Sequence, residues 1–412
     1  MKSRRLLWNL LAVLVLSLTL LEVWRAKPPE SVTVITGPAQ STLHQYAESY
    51  RKALITVSSE AMVLPIQETL NIPREVNDSK NSQTIGFGFV NHDTRNYQNV
   101  MSLGVVATEP LLVFVRRGKE EIQDLGDLKG RKVILPPEGS AAAKAALTIM
   151  GLHGITPGDI SLEHRPLAEL GLALQRLEAD AGFVMLGSDH PLVESLLSLS
   201  DFKLLDLPLH EAIARRVDYL VPMTLPAGAV NLGAKIPVTD IRLVGAPVDL
   251  IVHKDLHPAL VQTMLSALPE THGGESLDAR RGTYPTIQGS HWPVHPAAAE
   301  HAREGTPWMY ERLYPWLAAL LDEHWPLLLV LIGLGAVYES FDNLMGFVQT
   351  IRNSMAVGLL YFGSRLKGRS LQSAQDPIIV RLAEVLLHEE SASELARDMI
   401  AKSKSTVPKA PS

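Results

Sequence analysis

Two long apolar runs bracket a stretch of shorter, alternating segments. The first covers residues 6–24 behind a basic start of Lys2, Arg4 and Arg5, and only Asn9, Ser17, Thr19 and Glu22 interrupt it. Its length matches the roughly 20 residues that a helix needs to cross a bilayer. It exceeds the ~7–15-residue core of a secretory signal, and no small-x-small cleavage pattern follows at Glu22-Val23-Trp24-Arg25. The pattern predicts an uncleaved membrane anchor within residues 1–26, with a cleaved signal as the alternative. Either way the basic start stays inside and the chain from about residue 27 lies outside.

The second run, WPLLLVLIGLGAVY at 325–338, extends into a candidate spanning helix over residues 325–348. Trp308, Tyr310, Tyr314, Trp316 and Trp325 precede it like an interfacial aromatic belt, and Arg352, Arg365, Lys367 and Arg369 follow it. Two spans place both termini inside and the middle of the chain outside. Within residues 349–412, the segment MAVGLLYFG (355–363) is too short to span and suits the inner membrane surface. Residues 378–400 have helical periodicity, and the Lys-, Ser- and Pro-rich end reads as a disordered tail.

Between the runs, short β-branched segments alternate with helical ones. VTVITG (32–37), TIGFGFV (84–90), LLVFVRR (111–117), RKVILP (131–136) and AGFVML (181–186) read as strands. Residues 241–253 read as one or two more. Residues 41–54, 140–152, 167–177 and 257–268 read as helices, and a further helix lies around 122–128. The alternation predicts an α/β domain with a mostly parallel sheet, and its length suits two lobes over residues 30–275. Residues 276–324 are then a membrane-proximal linker.

Composition narrows the function. Of 412 residues 46% are hydrophobic and 20% charged, as in ordinary globular chains, and the formal net charge is -6. That balance argues against nucleic-acid binding, which needs a basic face. Cysteine is absent, which removes disulfides, thiolate metal sites and cysteine nucleophiles.

In open α/β sheets ligands bind beyond the carboxyl ends of strands, near helix N-termini. Two strand-to-helix turns have that composition. They are TGPAQST (36–42) and PPEGSAAAK (136–144), the second with Gly139 and Ser140 opening a helix. Glycine permits close backbone approach, serine caps, and first-turn amides favour an anion. Ordinary helix capping explains either turn taken alone.

These segments also carry a resemblance. TGPAQSTLHQYAESYRKAL, EPLLVFVRRG, LGDLKGRKVILPPEGSAAAKAAL, RLEADAGFVMLGSDHPLVESLL and the long run from VPMTLPAGAV to HPALVQTML resemble, in order and spacing, TAXI-type solute-binding proteins. These serve TRAP (tripartite ATP-independent periplasmic) transporters, and the match is to the branch with a C-terminal membrane helix. It covers roughly residues 36–344. The resemblance implies a two-lobed fold like type II periplasmic binding proteins, flanked here by transmembrane helices and closing on a small organic anion such as an amino acid or dicarboxylate. It implies ligand contacts from Gly37, Gln40 and Ser41, from Asn91 and Glu109, from Gly139, Ser140 and Ala141, and from Gly187 and Ser188. Partners would be a TRAP-type permease or a signalling protein, and the lipid bilayer. The location would be a bacterial inner membrane with the binding domain in the periplasm. The chain departs from the family at Gln40, where a glycine is usual, at Leu43, where an aromatic is usual, and at Asn91-His92-Asp93, where Gln-Gly-Gly is usual. A glycine-serine turn expected within residues 58–70 is not evident. The cytoplasmic tail leaves open a sensor coupled to it, and the lost glycines leave open a degenerate domain acting as a scaffold.

Other constellations carry less. His253 and His257 have helical i, i+4 spacing, but the helix start at Pro258 spoils a shared face, and no metal is expected. His291, His295 and His301 fall in a Pro-rich stretch that reads as surface loop. GDLKGRK lacks phosphate-loop spacing, and no G-x-S-x-G elbow concentrates a nucleophile. The sequence therefore reads as a binding protein, without catalytic residues or cofactor.

Overall fold

The computed structural model describes residues 27–322 apart from 59, 90–96, 119–120, 278 and 316, together with 17, 21, 325, 329, 333 and 351. Met1–Asp322 and Glu323–Ser412 form separate compact units, and the sheet and its cleft lie in the first. Both apolar runs and the tail helix at 378–400 fall almost wholly outside the described residues. Among the described residues, no helix is long and apolar enough to cross a membrane.

The chain begins with strand β1 (Ser31–Thr36), helix α1 (Thr42–Leu54), β2 (Glu60–Pro65), a short α2 (Ile72–Asn77) and β3 (Thr84–Phe89). Then comes a long strand, β4 (Val100–Arg116). After it run β5 (Lys132–Leu135), α3 (Ala141–Leu152), β6 (Ser161–His164), α4 (Leu167–Gln175), β7 (Ala181–Met185) and α5 (Pro191–Leu197). Next are β8 (Phe202–Leu204), α6 (His210–Arg216), β9 (Val221–Leu225) and a second long strand, β10 (Ile241–His253). The described elements close with α7 (Pro258–His272), α8 (Pro296–Glu304) and α9 (Trp308–Arg312).

The ten strands form one sheet in the order β2-β1-β3-β10-β4-β7-β5-β6, with β8 beside β4 and β9 beside β10. The expectation of a mostly parallel sheet holds only for β1 with β2 and β3, and for β5 with β6 and β7. Every pairing made by β4 or β10 is antiparallel. The reason is that both strands return through the sheet. β10 enters beside β9 at 241–245, meets β4 from Val244 onward and lies between β3 and β4 at 248–252. β4 runs the other way, its first half beside β10 and its second beside β7 and β8. A first lobe thus gathers on residues 100–107 and 248–253, and a second on 111–116 and 241–245. The two long strands cross between them at Thr108, Glu109 and Pro110 opposite Pro247, Ala246 and Gly245, and Leu277 later packs against the second lobe's core. The strand expected at 111–117 is the distal half of β4. The region 58–70, where the family has a small-residue turn, supplies the edge strand β2.

Burial follows the strand period of two. Leu111, Val113 and Val115 face one apolar core while Leu112 and Phe114 face another, and all five are wholly buried. A strand buried on both faces carries no alternation to read, which is why the sequence shows only an apolar run there.

Three helices begin on the dipeptide His-Pro. His190, His257 and His295 are the N-caps of α5, α7 and α8, each accepting at Nδ1 from the amide two residues on at 3.1–3.2 Å. His295 and His301, expected in a surface loop, therefore belong to a helix. Burial lowers the pKa of His190 and of His295. At the end of α7, His272 Nε2 bonds the hydroxyl of fully buried Tyr50, and burial lowers its pKa to about 4.

A histidine whose folded pKa lies below its unfolded value opposes protonation, so its contribution to stability is complete above pH ~6.5 and fades as pH falls towards 4. For His272 the loss across that window comes to about 3 kcal/mol. Chemical denaturation at steps between pH 7 and pH 4 should show this decline, and His272→Gln should flatten it.

Candidate ligand cleft

Both turns singled out in the sequence are helix N-caps. Ser41 Oγ accepts from the His44 amide at 3.3 Å, and Ser140 Oγ accepts from the Ala143 amide at 3.1 Å. Each turn follows the carboxyl end of a parallel strand, β1 or β5, so the two helix starts meet where an open α/β sheet holds its ligand. Gly139 adopts φ +80°, a conformation that glycine takes without the Cβ cost other residues meet.

Five of the expected residues line one cavity of about 50 Å³ between the lobes: Gly37, Ser41, Glu109, Ser140 and Ala141. Gln67, Thr69, Phe89, Leu167 and Met185 complete much of its wall. The remaining expectations lie nearby or elsewhere. Gly187 lines a neighbouring cavity of about 160 Å³ that shares Glu109 as a wall. Ser188 is buried, outside the lining of either cavity. Gly139 is exposed and gives its carbonyl to the Leu70 amide at 3.1 Å. Gln40 is exposed, and its carbonyl accepts from His190 Nε2 at 2.8 Å. Asn91 lies outside the described residues.

Nothing in the sequence marked Thr69, and Thr42 was only the last residue of the turn at 36–42. Thr69 belongs to the first lobe, yet its Oγ1 accepts from the amide of Ala141 in the second at 3.0 Å. Thr42 Oγ1 accepts from the Gly187 amide at 3.1 Å. Together with Leu70 to Gly139 and His190 to Gln40, these bonds cross the cleft and hold the lobes closed. Two hydroxyl oxygens thus satisfy backbone amides across the cleft. Pockets for small organic ligands usually measure about 300–1,000 Å³, so a ligand of amino-acid size requires the lobes to part.

The charge of the cleft is unlike that expected for an anion. Glu109 sits at the crossover of β4 and is only 4% exposed. No lysine or arginine is among the described residues lining either cavity. His272, beside the second cavity, is neutral at neutral pH because burial lowers its pKa. Helix N-termini supply positive potential, and the carboxyl groups that line the two cavities are Glu109, Asp189 and Glu275. Among the described residues no group of acidic and histidine side chains is arranged to hold a metal ion.

A model of the NMT1-like family matches residues 86–305, more than half of the chain. No curated protein matches the sequence. Among solved structures the chain is similar to the alkanesulfonate-binding protein SsuA of Xanthomonas axonopodis pv. citri, with 15% identity and TM-score 0.39, over 59% of this chain and 73% of that one. It is similar to the periplasmic aliphatic sulphonate-binding protein SsuA of Escherichia coli at 14% identity and TM-score 0.39, over 71% and 83%. An ancestral arginine-binding protein gives 13% identity and TM-score 0.38, over 58% and 92%. By their own descriptions these three neighbours are binding proteins.

Loss of an N-cap costs about 1 kcal/mol. Ser41→Ala and Ser140→Ala should each lower unfolding stability by that amount in urea titrations. The double variant should lose about 2 kcal/mol, because the caps serve separate helices.

Proposed function

We propose that this chain, which belongs to the NMT1-like family, is a membrane-tethered, extracytoplasmic binding protein for a small zwitterionic amino acid. The observation that carries this reading is buried Glu109 between two capped helix N-termini. First-turn amides of α1 and α3 suit a carboxylate. Glu109 suits an ammonium group, because a hydrogen bond between ionised partners of opposite charge is shorter and stronger than a neutral one. Of the two ligand classes implied by the resemblance, a dicarboxylate would bring a second negative group towards Glu109, and an amino acid would not.

Binding would proceed by lobe closure about the crossover of β4 and β10. The ligand carboxylate displaces the hydroxyls of Thr69 and Thr42 from the amides of Ala141 and Gly187. The apolar runs at 6–24 and 325–348 support a tether in a bacterial inner membrane with the domain in the periplasm. There it would hand its ligand to a TRAP-type permease. One observation favours a second reading, that of a degenerate domain serving as a scaffold: the cross-cleft bonds already satisfy the amides a ligand would use.

Thermal-shift measurements on the full-length protein should show stabilisation by an amino acid and none by dicarboxylates. Glu109→Gln should weaken that response at least tenfold, given the ~2–5 kcal/mol lost when one partner of a buried charge pair is removed. A dicarboxylate response without an amino-acid response would sink the zwitterion assignment, and silence with both classes would favour the scaffold. A reporter fused after Ser412 should be active only in a cytoplasmic form, and periplasmic activity there would overturn the two-span topology.

A further inference from the structure

The chain does not leave the sheet after α7. Residues 284–295 return along the free edge of β4 in the first lobe and are tied to it at three successive points. Ser102 donates its amide to the Pro293 carbonyl, and its own carbonyl accepts from the His295 amide, both at 2.8 Å. Val105 and Thr286 exchange backbone bonds at 2.7 and 3.0 Å. The hydroxyls of Thr108 and Tyr284 lie 2.7 Å apart. Beneath the strap, the buried carboxyl of Asp249 accepts from Ser102 Oγ at 2.6 Å and also from Ser290 Oγ. Trp292, 3% exposed, fixes the strap against Tyr97.

These ties fall where the β4–β10 ladder slips. Pairing steps from Val248 opposite Ala107 to Asp249 opposite Val105, and from Leu250 opposite Gly104 to Ile251 opposite Ser102. Val106 and Leu103 are therefore the extra residues of two bulges. Bulges bend a strand and disturb its ladder locally, and here the strap bonds the residues beside them. Gly104 has φ +136°, and a Cβ there would lie 3.1 Å from the Thr286 carbonyl oxygen. The strap is thus built into the irregularity of β4. Its first tie, at Thr108, adjoins Glu109 at the lobe crossover, and its last runs directly into α8.

We infer that residues 284–295 form a mechanical strap that couples opening and closing of the lobes to the position of α8. Rotation about residues 108–110 moves Thr108 relative to Tyr284, and the backbone ties at Val105 and Ser102 carry that displacement to His295. The inference rests on the two-lobed reading of the cleft, but its test needs no ligand. Failure to find a ligand would therefore leave it standing.

The chain has no cysteine, so introduced thiols are unique. A Cβ at Gly187 would lie 3.3 Å from Thr42 Cγ2, and Thr42→Cys with Gly187→Cys should lock the lobes by a disulfide. Thr69→Cys with Ala141→Cys gives a second, independent lock. Hydrogen exchange of the full-length protein is then compared between oxidised and reduced forms. Oxidation should slow exchange in peptides covering 284–304 by about threefold or more. Tyr284 shares a cavity wall with Thr42 and Gly187, so the Thr69–Ala141 lock, whose cavity has no lining residue from 284–304, is the deciding one. Adding Tyr284→Phe should remove that slowing while the lock still protects its own surroundings. Equal exchange of 284–304 in both forms would overturn the strap. Failure of both pairs to cross-link would overturn the closed arrangement on which it depends.

Discussion

The antiparallel pairing of β4 with β10 is the interaction on which the rest of this structure depends. Each lobe borrows half of each strand, so neither has a complete sheet without the pair. Proline enters both strands at the crossover, Pro110 opposite Gly245 and Pro247 opposite Thr108. Proline has no amide hydrogen and cannot supply a rung of the ladder. The pair is therefore continuous in connectivity but thinned in hydrogen bonds where the lobes must turn against each other. Glu109 sits at that point, so a carboxyl group that walls both cavities is also part of the pivot.

Much of the fold was legible because amphipathic patterns and capping signals are local. The helix at 41–54 and the alanine-rich helix at 140–152 differ from the observed elements by a residue at their starts, since Ser41 and Ser140 are caps and not first-turn residues. What was not legible depends on partners far along the chain. Alternation of strands with helices points to a mostly parallel sheet. The return of β4 and β10 through the sheet, which makes every pairing of either strand antiparallel, has no local signature. Likewise residues 100–110 lack the alternation of a half-exposed strand, because β4 is covered on both faces.

The cleft was legible in its backbone and not in its chemistry. Glycine and serine marked both helix starts correctly as turns near the strand ends. Thr69 carried no signal and Thr42 none of its own beyond closing the turn at 36–42, because a threonine near a helix start is commonplace until another lobe's amide is found against it. Only the family resemblance pointed to Glu109. Its burial, with no lysine or arginine among the described lining residues, turns a site expected for an anion into one with both signs of potential. Apparent family departures such as Gln40 matter less than expected at the described positions, since Gln40 meets the other lobe through its carbonyl and not its side chain.

The strand order also sets the sequence in which the lobes can be completed. Everything in the second lobe between the crossings, from Leu111 to Val244, is one unbroken stretch of chain. The first lobe is split around it, with β1, β2 and β3 made early and β10, which must sit between β3 and β4, made last. During synthesis the second lobe can therefore gather its strands while the first still lacks its central one. The first lobe's β3 edge stays unpaired until β10 emerges, an interval in which exposed strand edges are open to wrong partners.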